Sequence, residues 1–118
     1  MERIDGFIAA YGHALEEAAR LGAEETKLEE ERKILFSKLV VDAGDISAVK
    51  AEHVARASAS YREHGELLAT VRLQCALAKA KAQHMTARLD IWRTRESTRR
   101  AQQRRDQRGT QEADDDER

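Results

Sequence analysis

Residues 39–47 read Leu39-Val40-Val41-Asp42-Ala43-Gly44-Asp45-Ile46-Ser47, and how the chain passes through them decides the fold. Upstream, from Phe7, apolar or small residues step by four and three in turn: Phe7, Tyr11, Ala14, Ala18, Leu21, Leu28, Leu35 and Leu39. Glu25 and Arg32 hold the two seam positions that are not apolar. Such spacing turns one stripe of a helix toward a partner helix. At Asp42 to Asp45 the stripe stops. Gly44 accepts the left-handed conformation that closes a helix, and Asp45 or Ser47 can cap the next one.

A second seam follows: Val54, Ala57, Tyr61, His64, Leu68, Val71, Cys75, Ala78, Ala82, Met85, Leu89 and Trp92. Helices joined by so short a connection pack antiparallel. The fold expected is therefore all-α, an antiparallel two-helix coiled-coil hairpin over residues 1–108 with an overhanging second helix, open to completion as a bundle by oligomerisation. Helix 1 is expected over about 5–42 with Asp5 as its N-cap, the turn at 43–46, and helix 2 over about 47–108. The three serines at 47, 58 and 60 leave room for a kink or a separate short helix early in helix 2. Residues 109–118, rich in acids after Gly109, are expected to be a disordered tail.

A turn centred on residues 44–45 pairs seam residues whose numbers sum to about 89. Leu35 then meets Val54, Leu28 meets Tyr61, Leu21 meets Leu68, Ala18 meets Val71, Ala14 meets Cys75 and Phe7 meets Ala82. Glu25 falls in one layer with His64, which reads as a polar pair fixing register rather than as a catalytic acid–base pair, because no nucleophile or pocket accompanies it.

Composition supports the helical reading and narrows the function. Proline is absent from the 118 residues and aromatics make up 4%, too little for a thick core but enough for a narrow seam. The net charge of −1 hides a strong polarity. Residues 1–42 carry ten acids and six bases, giving −4; residues 43–87 six bases and four acids, giving +2; residues 88–108 eight arginines and three acids, giving +5; residues 109–118 five acids and one arginine, giving −4. No glycine-rich phosphate loop, nucleophile elbow or zinc spacing occurs, so no enzyme, cofactor, metal or small-molecule substrate is expected. The single cysteine, Cys75, permits no internal disulfide and reads as a small seam residue in a reducing compartment. With no signal peptide at Met1 to Asp5 and no apolar run of about 20 residues, the expected place is the cytoplasm of a bacterial or phage-infected cell, with no membrane contact.

Two surfaces stand out. If helix 2 outruns helix 1 beyond Met85, then Met85, Leu89, Ile91 and Trp92 form an apolar cluster that lacks intrachain cover and would take a protein partner or a second copy. Trp92 could equally cover the start of helix 1 beside Ile4. Arg88, Arg93, Arg95, Arg99, Arg100, Arg104, Arg105 and Arg108 could instead grip phosphates and make the segment a nucleic-acid contact, with the acidic run from Glu112 to Glu117 competing for them. The bland alternative is a solvated helix whose arginines pair with nearby acids.

The closing block, with Leu89-Asp90-Ile91-Trp92-Arg93-Thr94, Glu96-Ser97 and Arg99, resembles the C-terminal end of small helical proteins of tailed bacteriophages and prophages. That resemblance covers helix 2 only; such accessory proteins sometimes sit among replication and recombination genes, and most have no assigned function. The architecture is also similar to hairpin stalk and chaperone proteins of type III and flagellar export. The expected function is a non-enzymatic helical interaction protein. The alternatives are a phage-type nucleic-acid-binding accessory and an inhibitor that blocks a host complex.

Overall fold

The computed structural model describes the backbone of residues 2–116 and the side chains of residues 3–111. Three helices follow one another: α1, Glu2–Asp42; α2, Ala48–Ala57; and α3, Ala59–Asp116. There is no strand among the described residues. The chain divides into two compact units, Met1–Ala82 and Gln83–Arg118. The first is the helical hairpin; the second is the remainder of α3.

The turn is built as its sequence dictates. α1 closes with the Ala43 amide donating to the Leu39 carbonyl at 3.0 Å and the Gly44 amide to the Val41 carbonyl at 3.2 Å. Gly44 has φ 87°, the conformation in which a Cβ is penalised, so glycine is the residue that fits there. Ser47 caps α2, its side chain accepting from the Lys50 amide at 3.3 Å, which settles the choice between Asp45 and Ser47. Asp5 is not a cap, because α1 already runs from Glu2.

Helix 2 is not continuous from residue 47. Ser58 adopts φ −61°, ψ 138° and breaks it into α2 and α3. An extended residue resets the rotational phase of the stripe. Hence α2 buries Ala51 and Ala55, while Val54, expected on the seam, is 53% exposed and Ala57 is exposed as well. From Tyr61 through Ala82 the expected seam holds: Leu68, Val71, Cys75 and Ala82 are buried, and Tyr61, His64 and Ala78 are half-buried. The far end also differs from the expected disordered tail. α3 passes through Gly109 and continues to Asp116, while Glu117 and Arg118 lie outside the described residues.

The chain doubles back as expected, but the register is displaced. Leu28 packs with Leu68 and Val71, not with Tyr61, so Leu68 lies one heptad nearer the turn than its expected partner Leu21. The other cross-helix contacts agree. Arg32 reaches Tyr61 and Gly65, Glu31 lies by His64, and Arg72 lies between Glu25 and Glu29. The count of 89 assumed an unbroken helix leaving a four-residue turn. The five non-helical residues 43–47 and the separate phase of α2 use up chain without keeping that count, and the numbers of facing residues sum nearer 96. A whole-heptad shift is the error a repeating seam permits, since most apolar positions still meet apolar positions.

The polar seam residues explain why this register wins. Arg32 sits with its guanidinium 3.9 Å from the Tyr61 ring centroid and donates from Nη1 to the Tyr61 carbonyl at 3.1 Å. The space it fills exists because residue 65 is glycine: a Cβ there would stand 2.8 Å from Arg32 Nη1. Tyr61 also packs against Phe36, the centroids 5.7 Å apart, and Arg56 covers the other ring at 5.4 Å. Arg72 bridges Glu29 at 3.2 Å and Glu25 at 3.7 Å. Glu25 and His64 are therefore not partners. His64 has its Nε2 3.9 Å from Glu31 Oε2, too far for a hydrogen bond, and both its ring nitrogens are buried without one.

Candidate interaction surface

The C-terminal unit, Gln83–Arg118, carries both groups of residues singled out for binding. Its apolar set does not form one knob. Met85 is buried at 8% exposure, which removes it from a free partner surface. Leu89 is half-buried, whereas Ile91 and Trp92 are 52% and 43% exposed. Successive helical residues are about 100° apart, so Leu89 and Trp92 share one side of the helix and Ile91 is carried around to another. What remains open is Trp92, with Ile91 beside it on the same turn.

All eight arginines are exposed. Helical geometry sorts most of them into two rows. Arg93, Arg100, Arg104 and Arg108 step by seven, four and four along one face, spanning about 22 Å at 1.5 Å per residue. Arg88, Arg95 and Arg99 form the second row, on the same side as Trp92. Local acids temper part of this charge. Arg93 lies 3.9 Å from Asp90, and Arg99 is hydrogen-bonded to Glu96. Hydrogen bonding from Arg99, followed by its charge and that of Arg100, holds the Glu96 carboxyl below the usual carboxylate range and raises the Arg99 guanidinium. Among the described residues Arg104, Arg105 and Arg108 have no acidic partner within 4 Å. The proposed fold-back of the acidic run lies outside the described side chains.

The threonines on this helix look after themselves. Thr94, Thr98 and Thr110 donate to the carbonyls of Asp90, Thr94 and Asp106, four residues back, at 2.9–3.0 Å. What the surface offers a partner is therefore one indole, one isoleucine and guanidinium groups.

No family model, curated protein or solved structure matches this chain.

The hairpin unit separates the polar pair singled out in the sequence. Glu25 is engaged by Arg72 and His64 lies apart from it beside Glu31, so the expected register-fixing pair of the two does not form, nor does the acid–base pair weighed against it. Cys75 is 1% exposed and free, a packed seam residue as its spacing implied. No group of three metal-ligating side chains occurs among the described residues, and no described helix is long and apolar enough to cross a membrane. The Arg32–Tyr61–Gly65 contact was missed in the sequence. Its signal was present: an arginine on an apolar seam and a glycine inside a long helix, each locally unfavourable and each making sense of the other.

Proposed function

We propose that the chain is a non-enzymatic helical interaction protein that takes a protein partner, or a second copy, through the C-terminal half of α3. The observation that carries this reading is the exposure of Trp92, at 43%, with Ile91 beside it, in a C-terminal unit whose other exposed residues are charged, polar or small among the described residues. Tryptophan contributes most to binding when it moves from partial exposure into a desolvated pocket, and arginines around it supply specificity at the rim. The proposed location is the cytoplasm of a bacterial or phage-infected cell, in keeping with the likeness of residues 89–99 to tailed-phage helical proteins.

Fluorescence of Trp92, the sole tryptophan, tests the reading. Emission should shift to the blue as the partner or second copy docks on this surface, and Trp92→Ala should abolish partner binding and lower the mass reached by the chain alone. Unchanged mass and partner recovery in Trp92→Ala would refute it.

A second reading rests on the arginine rows. Arg100, Arg104 and Arg108 repeat every about 6 Å along one face, and exposed guanidiniums at that interval suit a phosphate backbone. Binding of this kind weakens steeply with salt and tolerates sequence. Arg99, Arg100, Arg104 and Arg105 changed together to alanine should abolish retardation of DNA or RNA at low salt. No retardation by the unmodified chain would eliminate this reading and leave the protein-partner reading standing.

A further inference from the structure

Besides their mutual seam, α1 and α3 each carry a second stripe inside the hairpin unit. On α1, Ile8, Gly12, Leu15, Ala19 and Gly22 step by four, three, four and three, the spacing of a helix contact. Ile8 and Leu15 are 52% and 45% exposed, and Ala19 is exposed. On α3, Ala69, Leu73, Ala76 and Ala80 step by four, three and four, with Leu77 alongside. All five are exposed, Leu73 at 60% and Leu77 at 62%. Neither stripe is the buried seam.

We propose that these two faces bind each other between copies: α1 of one chain lies on the outer face of α3 of another. Three observations favour a second copy over a foreign helix. The first is size. The α1 stripe is small where the α3 stripe is large, with Gly12, Ala19 and Gly22 offering a close approach to Leu73 and Leu77.

The second is that the glycines have no use within the chain. A Cβ on Gly12 or Gly22 would meet nothing within 4 Å, yet each glycine weakens a 41-residue helix. A helix packed closely from outside gives them a purpose. The third is charge. On α1, Asp5 and Glu16 border the stripe, while Glu17, Arg20 and Glu24 lie toward the opposite side of the helix; on α3, Lys79 and Lys81 border the stripe and residues 69–85 hold no acid. On α1, Glu16 and Glu17 are engaged by neighbours on their own helix, His13 and Arg20, and among the described residues Lys79 and Lys81 have no acidic partner within 4 Å. The lysines are thus available to an acidic face arriving from outside.

The contact lies on a different face and in a different unit from Trp92, so it stands or falls separately from the proposed partner surface. Light scattering of the full chain over a concentration series reads it. The mass should rise from 13.3 kDa to twice that or more, and salt should weaken the association. Gly12→Leu, on the α1 face, and Leu77→Lys, on the α3 face, should each weaken it by at least about tenfold while circular dichroism shows the hairpin intact. Both losses should also appear in a Trp92→Ala background, where association through the C-terminal half of α3 has been removed. Mixing the two variants should restore association, since each keeps the face that the other has lost. A monomer at every concentration would overturn the proposal, as would association that ignores both substitutions, or two variants whose mixture stays monomeric.

Discussion

Replacing Gly65 by alanine separates two opposed effects. In a helix interior alanine is favoured over glycine by about 1 kcal/mol, so an exposed Gly65 would be a stabilising target. Here the new Cβ would lie 2.8 Å from Arg32 Nη1, 3.1 Å from Nη2 and 3.3 Å from Cζ, and the guanidinium must leave. Its departure forfeits a hydrogen bond from a charged donor to the Tyr61 carbonyl, worth about 1.5 kcal/mol at a half-buried site, and a cation–π contact worth about 0.5–1 kcal/mol. The loss of about 2 kcal/mol outweighs the gain, and Gly65→Ala should destabilise the hairpin by about 1 kcal/mol. With Arg32 already changed to alanine nothing occupies the space, and the same substitution should stabilise by about 1 kcal/mol. The coupling across the double-mutant cycle is then about 2 kcal/mol. Urea unfolding followed by circular dichroism on the four proteins measures it. If Gly65→Ala stabilises equally in both backgrounds, Arg32 does not hold the position described.

Other expectations follow from the same contacts. Leu28→Ala removes the buried contact with Leu68 and Val71 and should cost about 2–4 kcal/mol in urea unfolding; a cost near zero would mean that these residues do not share a layer. His64→Leu replaces a side chain that buries two ring nitrogens without hydrogen bonds, and should raise stability by about 1–2 kcal/mol; a loss instead would reveal a partner for the imidazole. The Glu96 carboxyl is depressed in the folded helix, so its contribution is present above the unfolded carboxylate range and is lost as pH falls through the lowered folded value. Helicity near Arg99, read by amide chemical shifts, should decline only on that acid side, and Glu96→Gln should remove the dependence.

The seam of α1 was legible in full, because its four-three spacing runs unbroken: Ala14, Leu21 and Leu28 are buried where the spacing put them. The turn was legible too, since Gly44 and Ser47 have conformational roles that few residues fill. The register was not. In a heptad seam, Leu68 opposite Leu21 and Leu68 opposite Leu28 bury nearly the same apolar area, and the choice passes to Arg32, Gly65 and Arg72, whose fit is a matter of shape. The break at Ser58 was foreseen only as a choice, because the stripe through Val54 and Ala57 is as regular on paper as the one through Ala51 and Ala55. At the candidate surface, the arginines were readable as exposed from charge alone. Met85 stood on paper both on the seam and on the partner surface, and its burial removes it from the second.

The doubled-back chain and its register are tested most directly by paired spin labels in a Cys75→Ala background, with labelled protein diluted into excess unlabelled protein. Arg72 lies between Glu25 and Glu29, and facing numbers that sum near 96 set it level with Glu24, while the register centred on residues 44–45 would set it level with Glu17, seven residues or about 10 Å away along α1. Labels at 24 and 72 should lie close together, and labels at 17 and 72 farther apart by roughly 5 Å across helices whose axes are about 10 Å apart. A shorter distance for the 17–72 pair, or long distances for both, would contradict the hairpin described.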